Sequence, residues 1–246
     1  MLHTPDAVDG SLEPWPTHRD LCDVFIKIGG SILDHEESTA ALVPALTALR
    51  SQFRLVVFTG GGQAVKRVQA NQKKYGSDFY RTWKATALFP EVTAHLLASY
   101  STAFTVVSGA AEIAACCEAR NIAVLSPAAA IANSLYFLPD WLATTDSQGL
   151  YFAKNCGARR YVIVSNVDGI YDSSSGEVGR GRPIPHLTVE GLERLGAFKP
   201  DRRFADYFRR FPVPTTIVNG NHPDRVRAAI CGTSTLGTEI GSRTSA

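Results

Sequence analysis

The chain has 246 residues, 45% of them hydrophobic and 20% charged, which supplies a sizeable core and argues against disorder. A formal net charge of +2 is too small for a nucleic-acid or membrane surface, though it leaves room for positive charge gathered in one anion-binding cleft. The five cysteines (Cys22, Cys116, Cys117, Cys156 and Cys231) show no CxxC spacing, which speaks against a zinc site or disulfide framework and fits free thiols in a reducing compartment.

Residues 1–20 carry acids and prolines without an apolar run and are expected to form a flexible arm, not a signal peptide. No stretch reaches the ~18 uninterrupted apolar residues of a membrane span, so a soluble, cytoplasmic protein is expected. Asp23-Val-Phe-Ile-Lys-Ile28 reads as a buried strand that ends at Gly29-Gly30-Ser31. Residues 38–52 have helical spacing, with Leu42, Leu46 and Leu49 on one face and Ser38 as N-cap. Phe53 to Phe58 is a second strand, closed by Gly60-Gly61-Gly62, and a helix follows through Val65 and Val68. Residues 72–82 are polar and aromatic and read as a loop or mobile segment. Residues 84–99 read as one helix despite Pro90.

Thr105 to Val107 and Ile122 to Leu125 are short strands, with a helix from Glu112 to Arg120 between them. A change of character near residues 138–145 divides the chain into residues 21–140 and 141–246. The second part offers a helix at 146–156 and a strand from Tyr161 to Ser165. A Ser- and Gly-rich tip or lid follows at 172–181, then helices at 188–195 and 204–210. Thr215 to Val218 is a strand, Pro223 to Ile230 a helix, and Leu236 to Ile240 a closing strand. Strands alternating with helices in this way predict an α/β fold: a three-layer αβα sandwich with a mainly parallel sheet.

Two strands end in glycine clusters, and in a parallel sheet ligands bind at the carboxyl ends of strands. Glycine there lets backbone N–H groups approach phosphate oxygens, and a following helix start favours negative charge. Lys27 lies two residues before the first cluster, inside an apolar strand where an ammonium is costly unless it serves an anion. Neither cluster has the spacing of a P-loop or of a dinucleotide fingerprint. Thr144-Thr145-Asp146-Ser147 opens a helix; its aspartate serves as a cap, or orients Lys27, or helps hold Mg²⁺. Lys66 and Arg67 either grip an anionic acceptor or form a solvated helix face, and Arg202 and Arg203 are similarly ambiguous cations. Phe79, Tyr80, Trp83 and Trp141 read as core or interface packing aromatics, with stacking on a ligand ring as the alternative, and His95 as a core or interface histidine.

Lys27-Ile-Gly-Gly-Ser31, Gly60-Gly61-Gly62, Thr144-Thr-Asp-Ser147 and Asn166-Val-Asp-Gly-Ile-Tyr171 occur in that order. Together they resemble the amino-acid-kinase family, over residues 22–241. The methanofuran-biosynthesis branch that phosphorylates an aminomethylfuran methyl phosphate looks similar, through Trp141, Asp206, Val218-Asn-Gly220 and Pro223 to Val226. The uridylate kinases and the molybdenum storage protein are further similar branches. The resemblance implies the carbamate-kinase-like fold, a small-molecule kinase using ATP and Mg²⁺, and a homodimer or higher homo-oligomer. Residues 21–140 would bind the small-molecule acceptor and residues 141–246 the ATP. It also implies roles: Lys27, Asp146 and Lys199 in catalysis, with Lys199 chosen by position. Gly29, Gly30, Ser31, Ser165, Asn166, Asp168, Gly169, Tyr171 and Asp172 would bind ATP. Gly60, Gly61, Gly62 and Thr145 would bind the acceptor, and no side chain is assigned to a metal. A non-catalytic nucleotide- or oxoanion-storage protein and a decayed regulatory homologue are the alternatives on the same fold.

Overall fold

In the computed structural model, residues 18–133, 137, 139–172, 182–195 and 200–241 are described. The apolar runs become the strands β1 (Val24–Ile28), β2 (Leu55–Thr59), β3 (Phe104–Val107), β4 (Ile122–Leu125), β5 (Arg160–Ser165), β6 (His186–Thr188), β7 (Thr215–Asn219) and β8 (Thr238–Gly241). They form one sheet in the order β3-β4-β2-β1-β5-β7-β8-β6. The first six strands in that order run parallel. β8 is antiparallel to β7, and β6 runs parallel to β8.

The helices are α1 (Gly30–Leu33), α2 (Glu36–Thr47), α3 (Gly62–Tyr75), α4 (Phe79–Thr86), α5 (Phe89–Ala98) and α6 (Ala110–Glu118). They continue as α7 (Ala128–Asn133), α8 (Thr145–Asn155), α9 (Val189–Leu195), α10 (Phe204–Arg210) and α11 (Pro223–Cys231). Alternation along each strand divides the core into two layers. Phe25, Phe58, Tyr161 and Ile163 pack under α6, α8 and α10, whereas Ile26, Val57, Val162 and Val164 pack under α2, α5 and α11. Both faces are therefore apolar, as a covered parallel sheet requires. Lys27 shares its face with Phe25, which directs it to the α8 side.

Several boundaries differ from the sequence expectation. Residues 72–82 are mostly helical. α3 runs on to Tyr75 and stops at Gly76, whose φ of +64° makes a left-handed C-cap. Asp78 then opens α4 by accepting a hydrogen bond from the Arg81 N–H at 2.7 Å. The single helix expected over 84–99 is two, broken before Phe89, with Pro90 in the first turn of α5 where a missing N–H costs nothing. Ser38 lies inside α2 instead of capping it, and donates to Asn221 Oδ1. His95 is exposed on α5 and is not a core residue. The short elements α1, α7 and β6 were not anticipated. The expected arm over 1–17, most of the lid over 173–181 and Lys199 lie outside the described residues.

Candidate active site

β1 lies between β2 and β5, so the turns that leave these three strands meet at one edge of the sheet. The Gly29 N–H donates to Val164 O at 2.8 Å, and the Gly60 N–H donates to Ile28 O at 2.9 Å. These bonds fasten both glycine turns to their neighbouring strands. The turns then touch each other through backbone alone: a Cβ on Gly30 would lie 2.2 Å from the Cα and N of Gly62. Gly62 also has φ +62°, a conformation that side chains resist. Asp34 accepts a hydrogen bond from the Gln63 N–H at 3.2 Å and so ties α1 to the start of α3.

A cleft of about 350 Å³ opens above these turns. Lys27, Gly29, Gly30, Ser31, Gly60, Gly61, Gly62, Thr145 and Asn166 line it. The structure therefore brings together most of the residues singled out from the sequence. Lys27 is only 5% exposed, and its ammonium lies 2.5 Å from Asp146 Oδ1, itself on a residue 3% exposed. A pair this well buried survives only because each ion compensates the other.

Asp146 is held in turn by the first turn of α8. Its N–H donates to the Thr144 hydroxyl at 3.3 Å, and its carbonyl accepts from the Tyr161 hydroxyl at 3.0 Å. Burial, followed by the charges of Asp146 and Asp201, pushes the Tyr161 hydroxyl well above its ordinary pKa. It stays neutral and keeps donating.

The far wall is built by α3, α4 and Trp141. Trp83 and Trp141, read from the sequence first as packing aromatics, both line the cleft, as do Lys66 and Gln69 of α3. Phe79 meets Trp141 edge-on at 5.3 Å between ring centroids. Lys66, open to either reading from the sequence, is exposed and also faces this cavity.

The remaining sequence candidates sit beside the cleft. Ser165 is 1% exposed, and its buried hydroxyl has no hydrogen-bond partner among the described residues. Asp168 Oδ1 accepts from Asn219 Nδ2 at 2.9 Å and from Arg225 Nη1 at 2.7 Å. The Asn219 bond above all, with Arg225 contributing and burial opposing, holds this carboxyl below the usual carboxylate range. Gly169 is buried against Thr238, and burial, then Asp168, raises the Tyr171 hydroxyl. Asp172 is exposed at the end of this segment.

One residue of the site escaped the sequence entirely. Asp201 accepts from the Thr144 N–H and hydroxyl, each at 2.7 Å, and from the Ser147 N–H at 3.0 Å. It also accepts from the Ser147 hydroxyl and, at 3.1 Å, from the Arg203 N–H. Burial and the charge of Asp146 push its carboxyl up to about 6, against the lowering effect of these bonds. A Pro-Asp pair just before α10 is a local cap signal, and nothing in it indicates the second helix that this aspartate serves.

Among the described residues no helix is long and apolar enough to cross a membrane, and no group of three or more His, Cys, Asp or Glu side chains could hold a metal ion. A (5-(aminomethyl)furan-3-yl)methyl phosphate kinase of Methanocaldococcus jannaschii is 27% identical over 227 residues, spanning 88% of this chain and 96% of the relative. A uridylate kinase of Methanothermobacter thermautotrophicus is 26% identical over 227 residues, spanning 85% and 95%. Among solved structures, a uridylate kinase of Archaeoglobus fulgidus superposes with a TM-score of 0.71 at 19% identity, over 89% of this chain and all of that one. A UMP kinase of Bacillus anthracis gives 0.71 at 15% identity, over 90% and 96%. These two share the fold. The model of the amino acid kinase family matches residues 24–202, and the chain belongs to that family.

Proposed function

We propose that the cleft transfers the γ-phosphoryl group of ATP to a small phosphate monoester, giving ADP and a diphosphate. The observation that carries this reading is the buried Lys27 ammonium, held against Asp146 where two glycine turns meet. A pre-oriented cation beside backbone amides compensates the charge that spreads over a transferring phosphoryl group. The new bond joins an acceptor phosphate oxygen to Pγ, and the bond between Pγ and the β,γ-bridging oxygen breaks. An acceptor that is already an oxyanion has no proton to lose, so the site needs no general base. Both relatives named above are kinases of phosphate monoesters, which supports the same acceptor class here.

In this reading residues 141–246 bind ATP and residues 21–140 the acceptor. Gly29, Gly30 and Ser31 meet the ATP phosphates, and the strand-end segment from Ser165 to Asp172 lines the nucleotide site. The Ser165 hydroxyl, orphaned among the described residues, and the turns too tight for a Cβ suit a phosphorylated ligand. Gly60, Gly61, Gly62 and Thr145 meet the acceptor. Its phosphate faces Lys66, and an attached ring packs between Trp83 and Trp141. Mg²⁺ bound to the ATP phosphates supplies further positive charge when present.

The test is acceptor-dependent ADP release with a panel of phosphate monoesters that includes UMP and aminomethylfuran methyl phosphate. Turnover with at least one of them is expected. Lys27→Ala should lower it by on the order of 10³-fold. Stabilisation by Mg-ATP without turnover on any acceptor would make the chain a nucleotide-binding or storage protein. Equal turnover in wild type and Lys27→Ala would remove the lysine from the mechanism.

A further inference from the structure

The turn that carries Asp146 is fastened from outside its own helix. Thr144 caps α8, and a helix start leaves N–H groups without internal partners. Asp201, from a distant segment, receives two of the backbone N–H groups at this turn, those of Thr144 and Ser147, together with both of their hydroxyls. A second set of ties lies beside it. Arg203 Nε donates to Asp140 Oδ2 at 2.7 Å, and the Arg203 N–H donates to Leu142 O at 3.3 Å. The segment 140–147 is thus latched to 201–203 along its length. This segment presents Trp141, Thr144 and Thr145 to the cleft and Asp146 to Lys27.

Asp201 does not line the cleft and makes no ion pair with Lys27. Its carboxylate is also set close enough to Asp146 for the two charges to oppose each other. The hydrogen bonds from Thr144 and Ser147 hold Asp201 at this helix start against that opposition. We propose that Asp201 is a positioning residue for phosphoryl transfer, fastening the Thr144–Ser147 turn so that Asp146 holds the Lys27 ammonium in the cleft. The proposal rests on the kinase reading for its kinetic consequence, but its geometric consequence is independent of turnover.

Asp201→Asn keeps the shape and replaces one acceptor oxygen by a donor, which two of the present donors would then face at the Oδ1 position or three at the Oδ2 position. The expected result is a kcat lower by on the order of 10²-fold, with KM for ATP changed by less than roughly threefold, because orientation is lost while the glycine turns stay. Asp201→Asn added to Asp146→Asn should lower kcat no further, because both changes act on one contact. A crystal structure of Asp201→Asn should show the Lys27–Asp146 separation opened from 2.5 Å to beyond hydrogen-bond reach. If Asp201→Asn does not fold, Ser147→Ala removes one of the bonds and should shift kcat in the same direction by several-fold. Additive effects of the two changes on kcat, or an unchanged Lys27–Asp146 contact in the variant crystal, would overturn the proposal. A wild type without turnover on any acceptor would instead sink the kinase reading and leave the crystal structure to decide the role of Asp201.

Discussion

The two walls that meet at Lys27 are built by different physics. On one side Gly30 and Gly62 touch backbone to backbone, with no space for a single methyl group. On the other, the start of α8 is held by polar side chains, Asp201 beside it and Tyr161 beneath it. The first wall has no adjustable part, so a change there is met by strain. The second is a set of hydrogen bonds and charges, so its strength is graded and depends on protonation. Lys27 joins the walls, reaching from β1 to Asp146.

Removing that junction should have the largest effect on stability. Lys27→Ala leaves Asp146 buried without its cation, and breaking a buried pair from one side costs about 3–5 kcal/mol. Urea unfolding measures it; a midpoint equal to that of wild type would mean that water reaches Asp146 freely and that the two walls are not joined there. Next comes the rigid wall itself. In Gly30→Ala the new Cβ would meet Gly62 backbone at 2.2 Å, and neither turn can retreat without breaking its bond to the adjacent strand. A loss of about 3 kcal/mol is expected, at the upper end of ordinary overpacking. Gly109, where a Cβ would meet nothing within 4 Å, serves as the control: Gly109→Ala should be close to neutral. Equal behaviour of the two alanine variants would end the contrast drawn here.

The polar wall should respond to pH instead. The Asp201 carboxyl titrates near 6 in the folded chain against an ordinary value of 3.8, so the folded state binds this proton more tightly than the unfolded state. That contribution is fully present below about pH 4 and is lost as pH rises through about 6. Asp146, Tyr161, Tyr207 and Arg203 are the titratable groups around it. The stability of wild type relative to Asp201→Asn should therefore fall by on the order of 2 kcal/mol between pH 4 and pH 7. A flat difference across that range would place the ordinary carboxylate pKa on Asp201 and remove the opposition with Asp146.

The rigid wall was legible in the sequence, whereas the polar wall was only half so. Gly29-Gly30 and Gly60-Gly61-Gly62 are contiguous, each follows an apolar strand, and the parallel pairing of β1 with β2 brings them together. Lys27 stood out because an ammonium in an apolar strand needs an explanation. Asp146 was visible as part of a helix start. Asp201 was not, because its partners lie 54 and 57 residues away along the chain and no local pattern records that pairing. The wall opposite the glycine turns was only partly legible, for a related reason. α3 has no fully buried residue, so its apolar stripe is weak. Gly76 C-caps α3 and Asp78 N-caps α4, and α4 also buries Trp83 in the core. Trp83 and Trp141 do pack in or against the core and also line the cleft, because either role uses the same amphipathic ring.

The smallest expected effect lies at the segment proposed to bind ATP and tests how far the graded behaviour of the polar wall extends. Asp168 is fixed by Asn219 and Arg225; the Asn219 bond is the largest single influence keeping it ionised, and Arg225 adds both its charge and a hydrogen bond. In Arg225→Gln the Asn219 bond remains, so Asp168 stays a carboxylate in nearly the same place and the segment from Asn166 to Tyr171 keeps its course. A partly exposed pair contributes under about 1 kcal/mol, which corresponds to a change of a few-fold in KM for ATP with kcat untouched. Asn219→Ala removes the largest single influence on Asp168 and is expected to raise KM more than Arg225→Gln does. The reverse order in initial-rate measurements would show that charge, not the amide bond, holds this side, and would put the segment under the same pH control as the start of α8.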